Sequence, residues 1–158
     1  MIIIRAAEAA DQIPITHLVR GARLNPLHIA WPHFIVAEEV TPIQRTLVGA
    51  VQIRPHADGS RELASLVVTP SYQGQGLGAA LIHAIFKRAR FPLYLYCRGD
   101  LAPYYARFGF RAVSGGQLPP SLARHYRISQ AFIRVATRLL RRPLVLVAMV
   151  HTGPPDPA

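Results

Sequence analysis

Cysteine is nearly absent: Cys97 is the only one among 158 residues. A lone thiol cannot pair within the chain, so a disulfide scaffold is excluded and a reducing compartment fits. Long apolar runs are also missing. The longest covers residues 144–150, whereas a helix crossing a membrane needs about 20 apolar residues. The start, Met1-Ile2-Ile3-Ile4-Arg5, lacks the basic region and longer apolar stretch of a secretory signal, so a cytoplasmic location is expected. Acids are scarce, 8 against 18 Lys plus Arg, for a net charge of +10. Residues 1–84 hold six Arg and six acids, so the whole excess lies in residues 85–158. The seven His show no His-x-x-x-His spacing, and no metal site is expected.

What is present describes a folded chain. With 51% hydrophobic and 16% charged residues it is no disordered tail. The length suits one domain, expected over residues 1–152, with 153–158 as a loose proline-containing tail. The cationic second half should concentrate anions: a phosphorylated cofactor, an acidic substrate, nucleic acid or an anionic membrane. Charge alone does not choose among them.

Periodicity gives alternating elements. Residues 1–5, 33–39, 47–54, 62–69, 93–97, 110–113 and 144–150 read as strands. Residues 7–24, 76–90, 101–108 and 121–142 read as helices. The expected fold is α/β (α+β): a mixed, mostly antiparallel sheet of about seven strands flanked by helices.

The sharpest local signal is Thr69-Pro70-Ser71-Tyr72-Gln73-Gly74-Gln75-Gly76-Leu77-Gly78-Ala79, between a strand and a helix. Glycines let the backbone approach a ligand closely and turn successive N–H groups toward one point. The helix dipole adds about half a positive charge there, which makes a seat for a pyrophosphate. The loop ends Leu77-Gly78-Ala79, not Gly-Lys-Ser/Thr, so it is no P-loop. The glycine spacing tolerates a dinucleotide fingerprint, but the only acid about 20 residues on is Asp100, beyond the next strand. A plain Gly-rich turn into a helix is the remaining reading.

Gln73-Gly74-Gln75-Gly76-Leu77-Gly78 resembles the Gln/Arg-x-x-Gly-x-Gly/Ala signature of the GNAT superfamily of acetyl-CoA-dependent N-acetyltransferases. Tyr104-Tyr105-Ala106-Arg107-Phe108-Gly109-Phe110 is similar to that family's Tyr, three residues, Gly-Phe motif. The resemblance implies acetyl-CoA as cosubstrate, held where the fourth and fifth strands splay apart. It implies that Leu66, Val67 and Val68 bind the pantetheine arm, and that Gln73, Gly74, Gln75, Gly76, Leu77, Gly78 and Ala79 hold the pyrophosphate. Many members place an Asn after the fifth strand, where this chain has Arg98-Gly99-Asp100. Histone-type members carry a catalytic Glu eleven residues before the signature Gln, the place of Glu62. The resemblance thus implies Glu62 as general base and Tyr105 as the acid that protonates the leaving thiolate. The oxyanion is expected near the Val67 N–H. Against these stand a solvated strand-end Glu62 and a tyrosine that merely packs.

Cys97 ends an apolar strand and reads as a packing residue. In the helix over 121–142, Ile128, Phe132, Val135 and Leu139 recur at helical spacing and read as its buried face. Arg124, Arg127, Arg134, Arg138 and Arg141 fill much of the rest. The family usually has a simple hairpin there. The expected partner is a small-molecule or protein amine, and the loop 25–32, with His28 and Trp31, is expected to line its pocket. Nucleic acid is not expected, and a homodimer stays open. The alternative function is a non-catalytic acyl-CoA-sensing or polyanion-binding module on the same fold.

Overall fold

The computed structural model describes residues 1–141 and 143–154. Its strands are β1 (Ile2–Ala6), β2 (Phe34–Val40), β3 (Arg45–Pro55), β4 (Arg61–Val68), β5 (Leu93–Arg98), β6 (Arg111–Val113) and β7 (Leu146–His151). Its helices are α1 (Gln12–Gly21), α2 (Leu77–Phe86), α3 (Ala102–Ala106) and α4 (Pro120–Leu140). The strands form one mixed sheet in the order β1-β2-β3-β4-β5-β7-β6. Pairs β1–β2, β2–β3, β5–β7 and β6–β7 are antiparallel, and β4–β5 is parallel with Glu62 opposite Tyr94. This is the helix-flanked mixed sheet that the sequence pattern implies, with the long helix before the last strand.

The chain divides into two compact units, Met1–Arg54 with Leu63–Ala89, and Pro55–Glu62 with Arg90–Ala158. The first is built on Ile15 and Val19 of α1, Phe34 and Val36 of β2, Ala50 of β3 and Val67 of β4. Residues 34–38 of β2 are all buried, which is why 34–37 read as a continuous apolar run rather than an alternating one; Glu38 is buried against Arg5. α1 is shorter than the helix expected over 7–24, because Ala9–Asp11 forms a separate tight turn before it. Pro14 does not break it. It falls in the first turn, where its missing N–H has no helical partner to lose. Arg5 ties this end of the unit together, reaching Asp11 at 2.7 Å and Glu38 at 3.1 Å.

The second unit packs Leu118, Leu122 and Ala148 together, with Tyr94, Tyr96, Val113 and Tyr126 against them. Here one expectation fails. Ile128, Phe132, Val135 and Leu139 are 50%, 72%, 56% and 77% exposed. α4 instead turns Leu122, Tyr126, Gln130, Ile133 and Thr137 toward the fold. Tyr126 and Gln130 donate to the Leu146 carbonyl, and the Thr137 hydroxyl accepts the Leu144 N–H. The helix carries two stripes, one strongly apolar and one mixed with polar side chains, and the mixed one is the one that docks. Arg142, expected to end this helix, and residues 155–158 of the expected loose tail lie outside the described residues.

Candidate active site

In the first unit, β4 leads through the turn Pro70–Tyr72 into α2. Gly74 and Gly76 have φ of +76° and +78°, a left-handed conformation that glycine adopts without steric cost. Gly76 is the N-cap of α2, and a Cβ built on Gly74 or Gly76 meets nothing within 4 Å. The first intrahelical bond runs from the Ala80 N–H to the Gly76 carbonyl. The N–H groups of Leu77, Gly78 and Ala79 therefore have no partner in the helix. The loop is braced from behind: Gln73 Nε2 donates to the Val68 carbonyl at 2.8 Å, and Gln75 Nε2 to the Ser71 carbonyl at 3.0 Å. The signature glutamines thus hold backbone and leave the glycines open. An oxyanion cradle of backbone N–H groups at a helix start is what this geometry offers.

A cavity of about 830 Å³ lies beside this loop. Its walls include Val67, Val68, Thr69 and Gln73, and, from α1, Ile13 and His17. It brings together the expected pantetheine strand and the first signature residue. The buried Thr69 hydroxyl has no protein partner among the described residues. The loop 25–32 contributes nothing to these walls; Trp31 and Ile29 pack on the core instead.

β4 holds a feature that the sequence does not announce. Ser65, between Glu62 and Leu66, has φ of +55°. A side chain in this region costs on the order of 1–2 kcal/mol. The fully buried Gln52 of β3 donates to the Ser65 hydroxyl at 2.9 Å and holds it there. Such irregularities re-aim the backbone groups that follow, here those of Leu66 and Val67.

In the second unit, Glu62 is 6% exposed, which removes the solvated strand-end reading. Its Oε2 lies 2.9 Å from Nε2 of His56, itself buried, and the His125 ring lies 5.3 Å from that of His56, tilted by 55°. His56 was not among the residues singled out from the sequence. The hairpin makes the pair: the His56 N–H bonds the Ser60 carbonyl, so Glu62 sits two residues along on the same face.

Tyr105 is buried on α3, edge-on to Tyr104 and Phe110, and burial pushes its hydroxyl well above the ordinary tyrosine value. The Gly-Phe half of its motif has a steric cause. Gly109 has φ of +92°, and a Cβ there would meet His151 Nε2 at 2.7 Å. Cys97 is buried against Met149, and desolvation raises its thiol to about 11. A thiol this hard to ionise is a packing residue. Arg98 and Asp100 pair with each other at 2.7 Å. Among the described residues no cluster of three or more His, Cys, Asp or Glu is placed to hold a metal ion. No described helix is long and apolar enough to cross a membrane.

These observations meet in the comparisons with known proteins. The acetyltransferase (GNAT) domain family matches residues 30–112, and the chain belongs to that family. A mycothiol acetyltransferase of Thermomonospora curvata is 39% identical over 57 residues, which cover 36% of this chain and 19% of that protein. An N-acetylglutamate synthase from Neisseria gonorrhoeae, solved with coenzyme A and N-acetyl-glutamate, superposes with a TM-score of 0.70 at 22% identity. That match covers 96% of this chain and 35% of the synthase. Rv2747 of Mycobacterium tuberculosis, solved with CoA and NLQ, gives 0.68 at 21% identity, covering 96% of this chain and 99% of that one. The ribosomal-protein-S18-alanine N-acetyltransferase of Escherichia coli gives 0.61 at 17% identity, covering 100% and 99%. At these identities the structural likenesses are likenesses of fold. The chain spans about a fifth of the mycothiol enzyme and about a third of the synthase.

Proposed function

We propose that this chain is an N-acetyltransferase that moves an acetyl group from acetyl-CoA to a primary amine by direct attack in a ternary complex. The observation that carries the reading is the open seat at Gly74 and Gly76, where the start of α2 presents unpartnered N–H groups. Residues 73–79 would hold the pyrophosphate, and the backbone of Leu66, Val67 and Val68 the pantetheine arm. When bound, acetyl-CoA supplies a thioester: the amine nitrogen attacks its carbonyl carbon, a C–N bond forms, the C–S bond breaks and CoA leaves. Glu62 takes the proton that the amine sheds, its carboxylate oriented by the hydrogen bond to His56. Tyr105 keeps its proton at neutral pH, because burial disfavours the phenolate, and so can give it to the departing sulfur. The Val67 N–H, after the irregularity at Ser65, is the donor for the oxyanion.

The test is release of free CoA with a panel of small amines, amino acids and peptide N-termini. At least one acceptor class should turn over, and Glu62→Gln should slow it about 10²–10⁴-fold near neutral pH. Part of that loss should return at high pH, where the amine deprotonates unaided. Tight CoA binding without turnover on any acceptor would instead favour the acyl-CoA-sensing module.

A further inference from the structure

The exposed stripe of α4 is not used by the proposed chemistry. Ile128, Phe132, Val135 and Leu139 follow i, i+4, i+7, i+11, within a sector of about 60° and over about 16 Å of helix. All four are at least half exposed; Leu140 and Val145, at 63% and 61%, are exposed too. Beside this stripe runs a second one, Arg127, Arg134 and Arg138, all exposed. No acidic residue occurs anywhere in Pro120–Leu140. The helix therefore has three faces: a weakly apolar one docked on the fold, a strongly apolar one left outside, and a cationic one beside it.

An apolar stripe of this length on a surface marks a site of contact, and its neighbours say with what. A second copy of α4 would set arginines against a helix with no acid to answer them, so self-pairing is electrostatically opposed. Nucleic acid would satisfy the arginines but has no use for Ile, Val and Leu; single strands stack on aromatic rings. A bilayer bearing anionic headgroups satisfies both faces at once. Apolar side chains enter the acyl boundary while arginines meet phosphate and carboxylate groups. We propose that α4 docks the protein peripherally on an anionic lipid surface, lying in the plane of the interface. The proposal is independent of the acetyl-transfer reading, and its test needs no turnover.

The full chain is floated with vesicles of phosphatidylcholine alone, and of phosphatidylcholine mixed with phosphatidylglycerol. It should float with the anionic vesicles at low salt, bind the neutral ones at least tenfold more weakly, and be released by about 0.5 M salt, where screening is nearly complete. Replacing Arg127, Arg134 and Arg138 together with Gln should weaken binding about 10²-fold. Phe132→Asp with Val135→Asp should abolish it. Every substituted side chain is exposed, so circular dichroism should match the parent. Absence of flotation with anionic vesicles at low salt overturns the proposal, as does parent-like binding by the Asp variant. So does a concentration-dependent doubling of mass that the Asp variant abolishes, which would assign the stripe to a second copy. Equal capture on polyglutamate-coated beads, also unaffected by the Asp variant, would reduce α4 to an unspecific cationic face and overturn it too.

Discussion

Gly76 separates the stability of the chain from its proposed hold on the cofactor. At φ +78° and ψ 1° it caps α2, and a Cβ placed there meets nothing within 4 Å. A side chain therefore costs backbone strain alone, about 1–2 kcal/mol. For a chain of this length that is a fall in melting temperature of about 2–8 °C. In Gly76→Glu part of this is returned, because a carboxylate at a helix N-terminus is favourable by about 0.3–1 kcal/mol. The effect on binding is of another size. A carboxylate about 5 Å from a phosphate repels it by about 3 kcal/mol at an effective dielectric near 20. The carboxylate also occupies the N–H groups that the pyrophosphate would use. We expect Gly76→Glu to stay folded and to lose at least about 10²-fold in acetyl-CoA affinity. Gly76→Ala, with the same strain and no charge, should lose much less. Titration calorimetry beside a thermal melt reads both quantities. A folded Gly76→Glu variant that binds within about threefold of the parent would refute the seat.

Two further expectations follow from the second and first units in turn. Tyr105→Phe keeps the ring packed on Phe110 and removes one hydroxyl, so kcat should fall about 10²-fold or more while acetyl-CoA affinity changes little. Tyr104→Phe is the control and should cost little; if both variants behave alike in steady-state kinetics, Tyr105 is a packing residue. Arg5 holds the carboxyls of Asp11 and Glu38 below their ordinary range through hydrogen bonds to both. Depressed carboxylates stabilise the fold above their unfolded pKa values, about 4, and that contribution is lost as pH falls through the folded values. Arg5→Met should therefore destabilise the chain by about 3 kcal/mol at neutral pH, since it leaves buried Asp11 without a cation and buried Glu38 with Arg45 alone, at 3.5 Å. It should also flatten the acid side of the stability curve, as read by urea titration from neutral pH downward. An unchanged acid limb would show that the network is energetically idle.

The loop before α2 was legible because its chemistry is local. Glycines at 74 and 76 permit the left-handed turns, and the helix start they make needs no distant partner. The turn after Tyr105 was legible in Gly109-Phe110, whose glycine answers to the backbone and to His151. His56 escaped notice because its contact with Glu62 appears only when the register of the hairpin, with His56 bonded to Ser60, is counted. Ser65 gave no signal at all. A serine is an ordinary strand residue, and only the bond from Gln52 reveals that its backbone is held left-handed. α4 was misread for a different reason. Hydrophobicity picks the stripe with the largest apolar residues, while the docked face is set by Tyr126, Gln130 and Thr137, whose polar atoms meet the chain around Leu144 and Leu146.

That misreading bears on the charge as well. In the first unit the acids are spent locally: Asp11 and Glu38 on Arg5, and Glu38 again on Arg45 at 3.5 Å. Beyond residue 84, Asp100 is the only acid among the described residues, and Arg98 takes it. The positive excess of that half is therefore not balanced within it. Eleven of its twelve basic residues are arginines, which keep their charge at any pH where the fold survives. Ionic strength, not pH, is then what sets the pull of this surface on anions. The same excess serves the two anionic ligands proposed here differently. A pyrophosphate would be seized at one point by backbone N–H groups, while net positive charge acts on it as steering. An anionic surface must be met along the whole of a helix, and α4 is the element whose arginines are arranged in a row beside something apolar to bury.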